Sequence, residues 1–555
     1  MSFPSLAFCF VPFVAPQGPT PLAEPLPLQQ LLAPHASQSL PPWRSLLQQP
    51  DGSTRDLLHG ADGMPGFAVD DVLGLLTELH RAACDDGSLH FASQGNGLTV
   101  FGNETEVAKV RERVRHANAT IARAVQVEFA VWDGADRETP AAFLGPADYT
   151  RFAASRQPLW RGVAVTRHGH AVAIDRMRWT RYARTVDANV AQKQTALSPI
   201  VDRFGEGGHA IVRPFALVGG DEWALHVQFA LAQRRGALRT LQMSLPAVAE
   251  IDLPTLETCY GTCSGRVPNG GALSVTLRGH AGTGGHHILT VRVLSRSSPA
   301  ATLHDGLAIV PCGAITSTGL DEVPGDDDGF VGASRGLDYG HLPTEALLEL
   351  LRLGLGADAD QCAMQCGGGY VFARGPAAAH KRIEAMLQSL QDRLVRNATV
   401  AQTAQLEPVD NPPAGWSSTL HEIVLPTLHG RGLVANRCLE MNCIAGQQTY
   451  LAQEATTLGP LVERLQSGTV LTARTSPVDD TVYLQLAACH RFAGAPASRT
   501  VATGGATLML SEVARTSSSH DGTVTNGQAI EHGDGPTVTI DGRSYRSVIA
   551  TTVRW

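Results

Sequence analysis

"LSPIVDRFGEG" (Leu197–Gly207) returns 261 positions later as "LGPLVERLQSG" (Leu458–Gly468). From Leu197–Arg213 to Leu458–Arg474 the alignment needs no gap. Leu197, Pro199, Val201, Arg203, Gly207 and Arg213 recur as Leu458, Pro460, Val462, Arg464, Gly468 and Arg474. Ile200/Leu461, Asp202/Glu463 and Phe204/Leu465 are conservative exchanges. One match could be an accident of composition. A duplicated unit requires further matches in the same order.

Upstream, "GLTVFGNETEVAKVRERVRHANATI" from Gly97 parallels "GYVFARGPAAAHKRIEAMLQSLQDRL" from Gly369. Each reads as a short alternating strand followed by a helix. Asn103 and Glu106 have capping-box spacing, and Pro376 suits a first helical position. Val110, Val114, Ala117 and Ile121 share one helical face, and so do Ile383, Leu387, Leu390 and Leu394. An apolar helix precedes both copies, from Val72 and from Ala346. A strand follows both, at Val125–Val131 and Val400–Leu406. Downstream, "VPNGGALSV" from Val267 parallels "VATGGATLM" from Val501. The glycine pairs Gly270, Gly271 and Gly504, Gly505 mark tight turns that permit positive φ. Each copy closes on a β-rich run, from His286 and from Ser547. The order is collinear, so the chain reads as two copies of one unit, about 72–295 and 346–555.

At 555 residues there is room for two to four domains. Charged residues make up only 17%, against a usual share of about 25%. The net charge of −8 and pI near 6.2 argue against a nucleic-acid partner, which usually meets a basic stripe. Ten cysteines are too few for a disulfide scaffold of this length. The close pairs Cys259/Cys263, Cys362/Cys366 and Cys438/Cys443 lack the spacing of a structural zinc site. Ser5–Ala15 is an apolar run of signal-peptide length without a basic n-region. It reads as a weak or mis-started export signal, or else as an apolar arm. No later stretch reaches the ~18 apolar residues of a membrane helix.

The fold class expected is α+β: two tandem copies of a small βαβ-like α/β module, each followed by an antiparallel β-rich domain. In copy one, Trp223, Leu225, Val227 and Phe229 alternate after a "GGDE" turn at Gly219–Glu222. In copy two, Val482, Leu484 and Leu486 alternate after "PVDD" at Pro477–Asp480. The divisions are an N-terminal arm over 1–65, α/β modules over 66–135 and 341–408, β-rich domains over 136–295 and 409–555, and a Gly/Ser/Asp linker over 296–340.

These residues carry a resemblance. An α/β module like Leu98–Val131, then "PIV…G" and an "RP" strand within Asn189–Ala230, then "LPTLETCYGTCSGRVPNGGALSV" (Leu253–Val275), resembles the secretin family of type II and type III secretion systems. Tyr370–Leu406 resembles the family's ring module a second time. The resemblance implies a protein that forms homo-oligomeric rings in the cell envelope, at the outer membrane or in the periplasm. Its implied partners are other secretion-system proteins and protein substrates. The family's late "VPxLGDIPxLGxLF" phrase is absent from both copies, and "LDEVPGDDDGF" from Leu320 is the nearest string.

No H-E-x-x-H, G-x-S-x-G or G-x-x-x-x-G-K-[ST] motif is present. We therefore expect no catalytic chemistry, no cofactor and no metal. His168/His170, His286/His287 and Asp326–Asp328 are read as surface or linker residues rather than ligands. Pro199, Arg203, Arg213, Gly270 and Gly271, with Pro460, Arg464, Arg474, Gly504 and Gly505, are the repeat-equivalent candidates for structure or assembly. The arginines could pair with an acid across a subunit contact or within a domain. A secretin-like role in protein secretion is the first reading. A non-pore scaffold or protein-binding module is the alternative, and an enzyme of unknown class the third.

Overall fold

The computed structural model describes residues 22–26, 69–94, 97–134, 139–191, 194–244, 248–279, 285–295, 302–304, 306–317, 342–409, 419–452, 455–478, 480–493, 497–501, 506–510, 513–532, 537–540 and 543–555. The first half runs β1 (Leu22–Pro25), α1 (Val69–Leu79), α2 (Arg81–Asp85), β2 (Leu89–Gln94), β3 (Gly97–Gly102), α3 (Glu104–Ile121), β4 (Ala124–Asp133), β5 (Phe143–Leu144), α4 (Pro146–Ala154), β6 (Pro158–Arg167), β7 (Val172–Ala191), β8 (Gln194–Ala216), β9 (Glu222–Arg234), β10 (Arg239–Ser244), β11 (Val248–Leu253), β12 (Thr255–Pro268), β13 (Ala272–Gly279) and β14 (His286–Ser295). The second half runs β15 (Thr302–His304), β16 (Leu307–Pro311), α5 (Gly313–Thr316), α6 (Thr344–Leu355), β17 (Ala363–Gly367), β18 (Tyr370–Arg374), α7 (Ala377–Leu394), β19 (Asn397–Pro408), β20 (Thr419–Leu428), β21 (Gly432–Ala452), β22 (Ala455–Val478), β23 (Thr481–Ala493), β24 (Ala497–Val501), β25 (Ala506–Leu510), β26 (Val513–Val524), β27 (Ala529–His532), β28 (Thr537–Ile540) and β29 (Arg543–Arg554).

The chain is mostly antiparallel β-sheet with a minority of helix. One eight-stranded sheet has the order β26-β23-β22-β21-β12-β9-β8-β7. A second follows β27-β29-β19-β20-β13-β14-β4-β6, with β28 also on β29 and β5 on β13. In both orders the elements of the first half stand together, and those of the second half follow in the same sequence. The two sheets share one apolar core, to which Phe129, Val291 and Leu425 contribute from one side and Val227, Leu433 and Leu484 from the other. β7 also runs beside β22 without a ladder between them.

The registers recur as well. In the hairpin β7–β8 the pairing slips by one residue between Ala183 and Thr185. In β21–β22 it slips between Ile444 and Gly446. Both slips lie at the same distance from the hairpin ends, Ala191 opposite Gln194 and Ala452 opposite Ala455. A bulge adds local twist and is a built feature of a strand pair. A second pair of slips falls at Val131/Trp132 between β4 and β6, and at Ala404/Gln405 between β19 and β20.

Helix α3 starts where the capping spacing predicts: the Asn103 side chain accepts from the Glu106 backbone N–H at 2.9 Å. It buries Val107, Val110, Val114, Ala117 and Ile121. α7 buries Ala379, Ile383 and Leu387. Pro376 is its N-cap rather than its first helical residue, and Leu394 at its end is exposed. Two further expectations are corrected. Leu22–Pro25, within the expected arm, pairs with β3 and belongs to the first small sheet. Leu307–Pro311, within the expected linker, is a wholly buried strand paired with β18. Asp326–Asp328 lie outside the described residues.

The period-two strands also differ from expectation. β9 is buried on both faces, His226 and Gln228 included. Trp223, Leu225 and Val227 fill the inter-sheet core, while Phe215, Leu217 and Ala224 pack under α6 and α7. A sheet covered on both sides does not need a solvated face.

Candidate assembly surface

The two halves meet along two strand pairs. In the first sheet β12 pairs with β21, Tyr260 opposite Asn436 and Thr262 opposite Val434. In the second, β13 pairs with β20, Arg278 opposite Glu422. Side chains reinforce both ladders. Asn436 Nδ2 donates to Tyr260 Oη at 2.6 Å, and Thr262 Oγ1 accepts from Val434 N at 2.9 Å. Arg278 and Glu422 form an ion pair at 3.1 Å. Below them Asn397 exchanges two hydrogen bonds with the backbone of Arg266, at 2.7 and 2.9 Å.

The centre of this seam is charged and dry. Arg437 of β21 pairs with Glu257 of β12 and donates to the Gly285 carbonyl at 2.6 Å. Arg235 pairs with the other oxygen of the same carboxylate. Burial pulls the Arg437 guanidinium down to about 10. Burial, followed by Arg437 and Arg235, holds His287 down to about 4, so the imidazole there is neutral at physiological pH. Buried ion pairs carry a desolvation penalty and fix geometry more than they stabilise. Two guanidiniums on one carboxylate tie β12, β21 and the end of β9 in one arrangement.

The α/β modules also stack. Leu75 of α1 and Val114 and Ala117 of α3 share a core with Leu307 of β16 and Phe372 of β18. Arg374 of β18 donates to the Glu78 carbonyl near the end of α1. The opposite face of that second sheet, Val310, Val371 and Ala373, packs under α6 and α7. Helices of the first half thus lie on a sheet of the second.

The repeat-equivalent residues do not converge on one site. Pro199 and Pro460 each pair just beyond the bulge of their hairpin, opposite Val186 and Gln447. Arg203 is exposed and stacks over Trp179 at 5.0 Å. Arg464 pairs opposite Asn442 in the ladder. Arg213 is 1% exposed, with Ser317 Oγ 3.5 Å from its Nη1, and Arg474 is half-buried opposite Gly432. Gly270 has φ 83, and a Cβ on Gly271 would meet the Leu144 carbonyl at 2.6 Å. Gly504 and Gly505 lie outside the described residues. Gly207 and Gly468 have a shared reason to be glycine: a Cβ on either would strike the carbonyl oxygen of the facing strand, Arg176 or Arg437.

Two recurrences are not evident from the aligned runs. Asn269 accepts from Ser295 N at 2.8 Å and donates to its carbonyl at 2.9 Å. Asn526 does the same with Trp555, at 3.3 and 3.2 Å. Gly270 and Gly527, next in line, both have positive φ and donate to Val293 and Val553, each at 2.8 Å. Their signal in the sequence is Val-x-Asn-Gly at 267–270 and 524–527. Likewise Thr-x-His-Gly at 166–169 returns at 427–430. Gly169 and Gly430 again have positive φ and donate to the equivalent carbonyls of Pro214 and Thr475. His168 accepts from Ala216 N at 2.9 Å and reaches the Gly369 carbonyl at 3.0 Å, so both ring nitrogens are engaged.

Among the described residues no group of three or more metal-capable side chains occurs, and none of the nine described cysteines is in a disulfide. The Cys312 and Cys366 sulfurs lie 3.4 Å apart. No described helix is long and apolar enough to cross a membrane.

No family model matches the chain, and no curated protein does. Its structural neighbours are secretins. The secretin-domain β-barrel of InvG from the Salmonella SPI-1 injectisome is 12% identical, covering 50% of this chain and 88% of that one, with a TM-score of 0.20. The type IV competence pilus secretin PilQ of V. cholerae is 10% identical over 35% of this chain and 69% of that one, with a TM-score of 0.15. ExeD of Aeromonas hydrophila is 8% identical over 97% and 90%, with a TM-score of 0.16. The superpositions are poor, so the registers within this chain carry the weight that the likeness does not.

Proposed function

We propose that the chain is a secretin-like envelope protein, built as two fused copies of one unit, that oligomerises and takes part in protein secretion across the outer membrane. It works by assembly and passage of protein, without bond chemistry. The observation that carries this reading is the recurrence of strand order, bulges and turns between the halves, together with a resemblance of each half to the secretin pattern. The first unit then begins at β1, and the second at β15 or β16. Its partners are further copies of itself, other secretion-system proteins and protein substrates.

The absent "VPxLGDIPxLGxLF" phrase favours a second reading, a scaffold that kept the units and lost the pore. Negative-stain imaging of detergent-extracted protein separates the two. Rings with an open lumen support secretion. A protein that stays monomeric without detergent removes it.

A further inference from the structure

The seam inside the chain is a template for a contact between chains. Among the described residues, every surface used there has a counterpart at the outer ends that is left over. In the first sheet β12 pairs with β21, and the corresponding terminal strands are β26 and β7. In the second, β13 pairs with β20, and the terminal strands are β27 and β6. In the stacked modules, helices of the first half cover the sheet of the second. The helices of the second half leave Leu350 and Leu353 exposed at 42% and 71%, and the face of the first half's sheet turned away from its own helices exposes Phe101 at 37%. All three leftovers point the same way: the trailing side belongs to the second half and the leading side to the first.

The recurrent registers fix how such ends would meet. Val267 faces Trp223 as Val524 faces Val482, so β26 takes the place of β12. The matched hairpin bulges place β7 where β21 stands. Tyr260 opposite Asn436 then becomes Ser517 opposite Asp175, and Thr262 opposite Val434 becomes Ser519 opposite Ala173. Over these residues β7 has a ladder on one side, to β8, and β26 on one side, to β23. Ser517, Ser519 and Asp175 are exposed and Ala173 is half-buried. An edge strand with open N–H and C=O groups is a template for a further strand. Here the occupant is specified by the seam already formed.

We propose that chains join head to tail through a copy of their own internal seam. β26 of one chain pairs antiparallel with β7 of the next, Ser517 opposite Asp175, and the exposed leucines of α6 pack on the face that carries Phe101. The occupant of each edge is a second copy of this chain. A closed assembly then holds an even number of units, two per chain, and alternates fused and unfused seams. The two seams differ in chemistry, because Ala514 and Arg176 stand where Glu257 and Arg437 do. This inference rests on the two-unit reading but not on the secretion role.

The test is cysteine cross-linking in the full chain. Ser517→Cys and Asp175→Cys combined should give, on mild oxidation, a ladder of covalent multimers that reduction collapses. Neither single variant should give it. Ser519→Cys with Ala173→Cys repeats the test two residues along, should the first pair disturb folding. Linking by Ser517→Cys alone means that like edges meet, and overturns the head-to-tail seam. So does an oligomer, sized by light scattering, in which neither pair links, and so does a chain that stays monomeric at high concentration. A ladder from particles without a lumen keeps the seam and removes the secretion reading instead.

Discussion

Arg437 and Glu257 lie on strands from opposite halves of the chain and form an ion pair, with only 2% and 9% of their side chains exposed. Arg235 holds the same carboxylate from the wetter side, 27% exposed. The carboxylate is therefore the hub, and the two arginines are not equivalent.

Glu257→Leu should cost more than Arg437→Met. The first strands a buried guanidinium, a loss of about 3–5 kcal/mol, whereas the second leaves Glu257 paired with Arg235. The double variant should be milder than Glu257→Leu alone. Urea unfolding of the three variants checks this. A loss under ~1 kcal/mol for Glu257→Leu, as for an exposed pair, would contradict the dry seam.

Acid should weaken the fold in a defined window. His287 is held near 4 in the folded chain, against 6.5 when unfolded, because burial and two guanidiniums oppose its charge. The unfolded chain takes up the proton first. The stability contribution is therefore complete above pH 6.5, declines as pH falls towards 4, and is level below that. One such histidine accounts for about 3 kcal/mol over the window. Urea midpoints against pH should show this slope, and His287→Asn should lower it by one histidine's share, since His80, His286, His429 and His490 are also held near 4. An unchanged slope would mean that other groups govern it, such as the buried His490, also held near 4.

Asn269→Ala and Asn526→Ala should behave alike. Each deletes two side-chain hydrogen bonds that pin the end of the closing strand, at Ser295 or just past β29 at Trp555, a loss of about 1–2 kcal/mol. Hydrogen exchange should rise at Val293–Ser295 in one variant and at Val553–Trp555 in the other. Different responses would break the equivalence of the two turns.

Gly207→Ala and Gly468→Ala should each destabilise by about 1–3 kcal/mol or more, since the added methyl meets backbone and not a movable side chain. Thermal unfolding checks this. A neutral Gly468→Ala would mean that the strands separate there at no cost.

What the sequence made legible was whatever the two halves build alike. The run from Leu197 needs no gap against Leu458 because both build hairpins of one length with one bulge. Helices α3 and α7 were legible from a valine and leucine face that had to be buried. β1 and β16 were not, because "LAEP" and "LAIVP" are short and without alternation, and β16 is covered on both faces. Gly504 and Gly505 lie outside the described residues, and the turn at Gly270 recurs at Gly527. The turn is set by an asparagine that reaches across to the next strand, and its signal, Val-x-Asn-Gly, is too short to stand out before that bond is seen. Glu257 and Arg437 were invisible because 180 positions separate them, and an isolated Glu on an apolar strand says nothing of its partner.

The seam has a consequence during synthesis. Strand β12 leaves the ribosome long before its neighbour β21, and at ~5–20 residues per second the wait is roughly ten to forty seconds. Throughout that interval β12 is an open border on a nascent chain, lined with cysteine and tyrosine. The carboxylate of Glu257 then guards it, since an inward-pointing charge discourages a foreign strand from docking. Arg235 takes one oxygen of that carboxylate from the start and the arrival of Arg437 takes the other, so a single residue first repels strangers and afterwards welcomes kin.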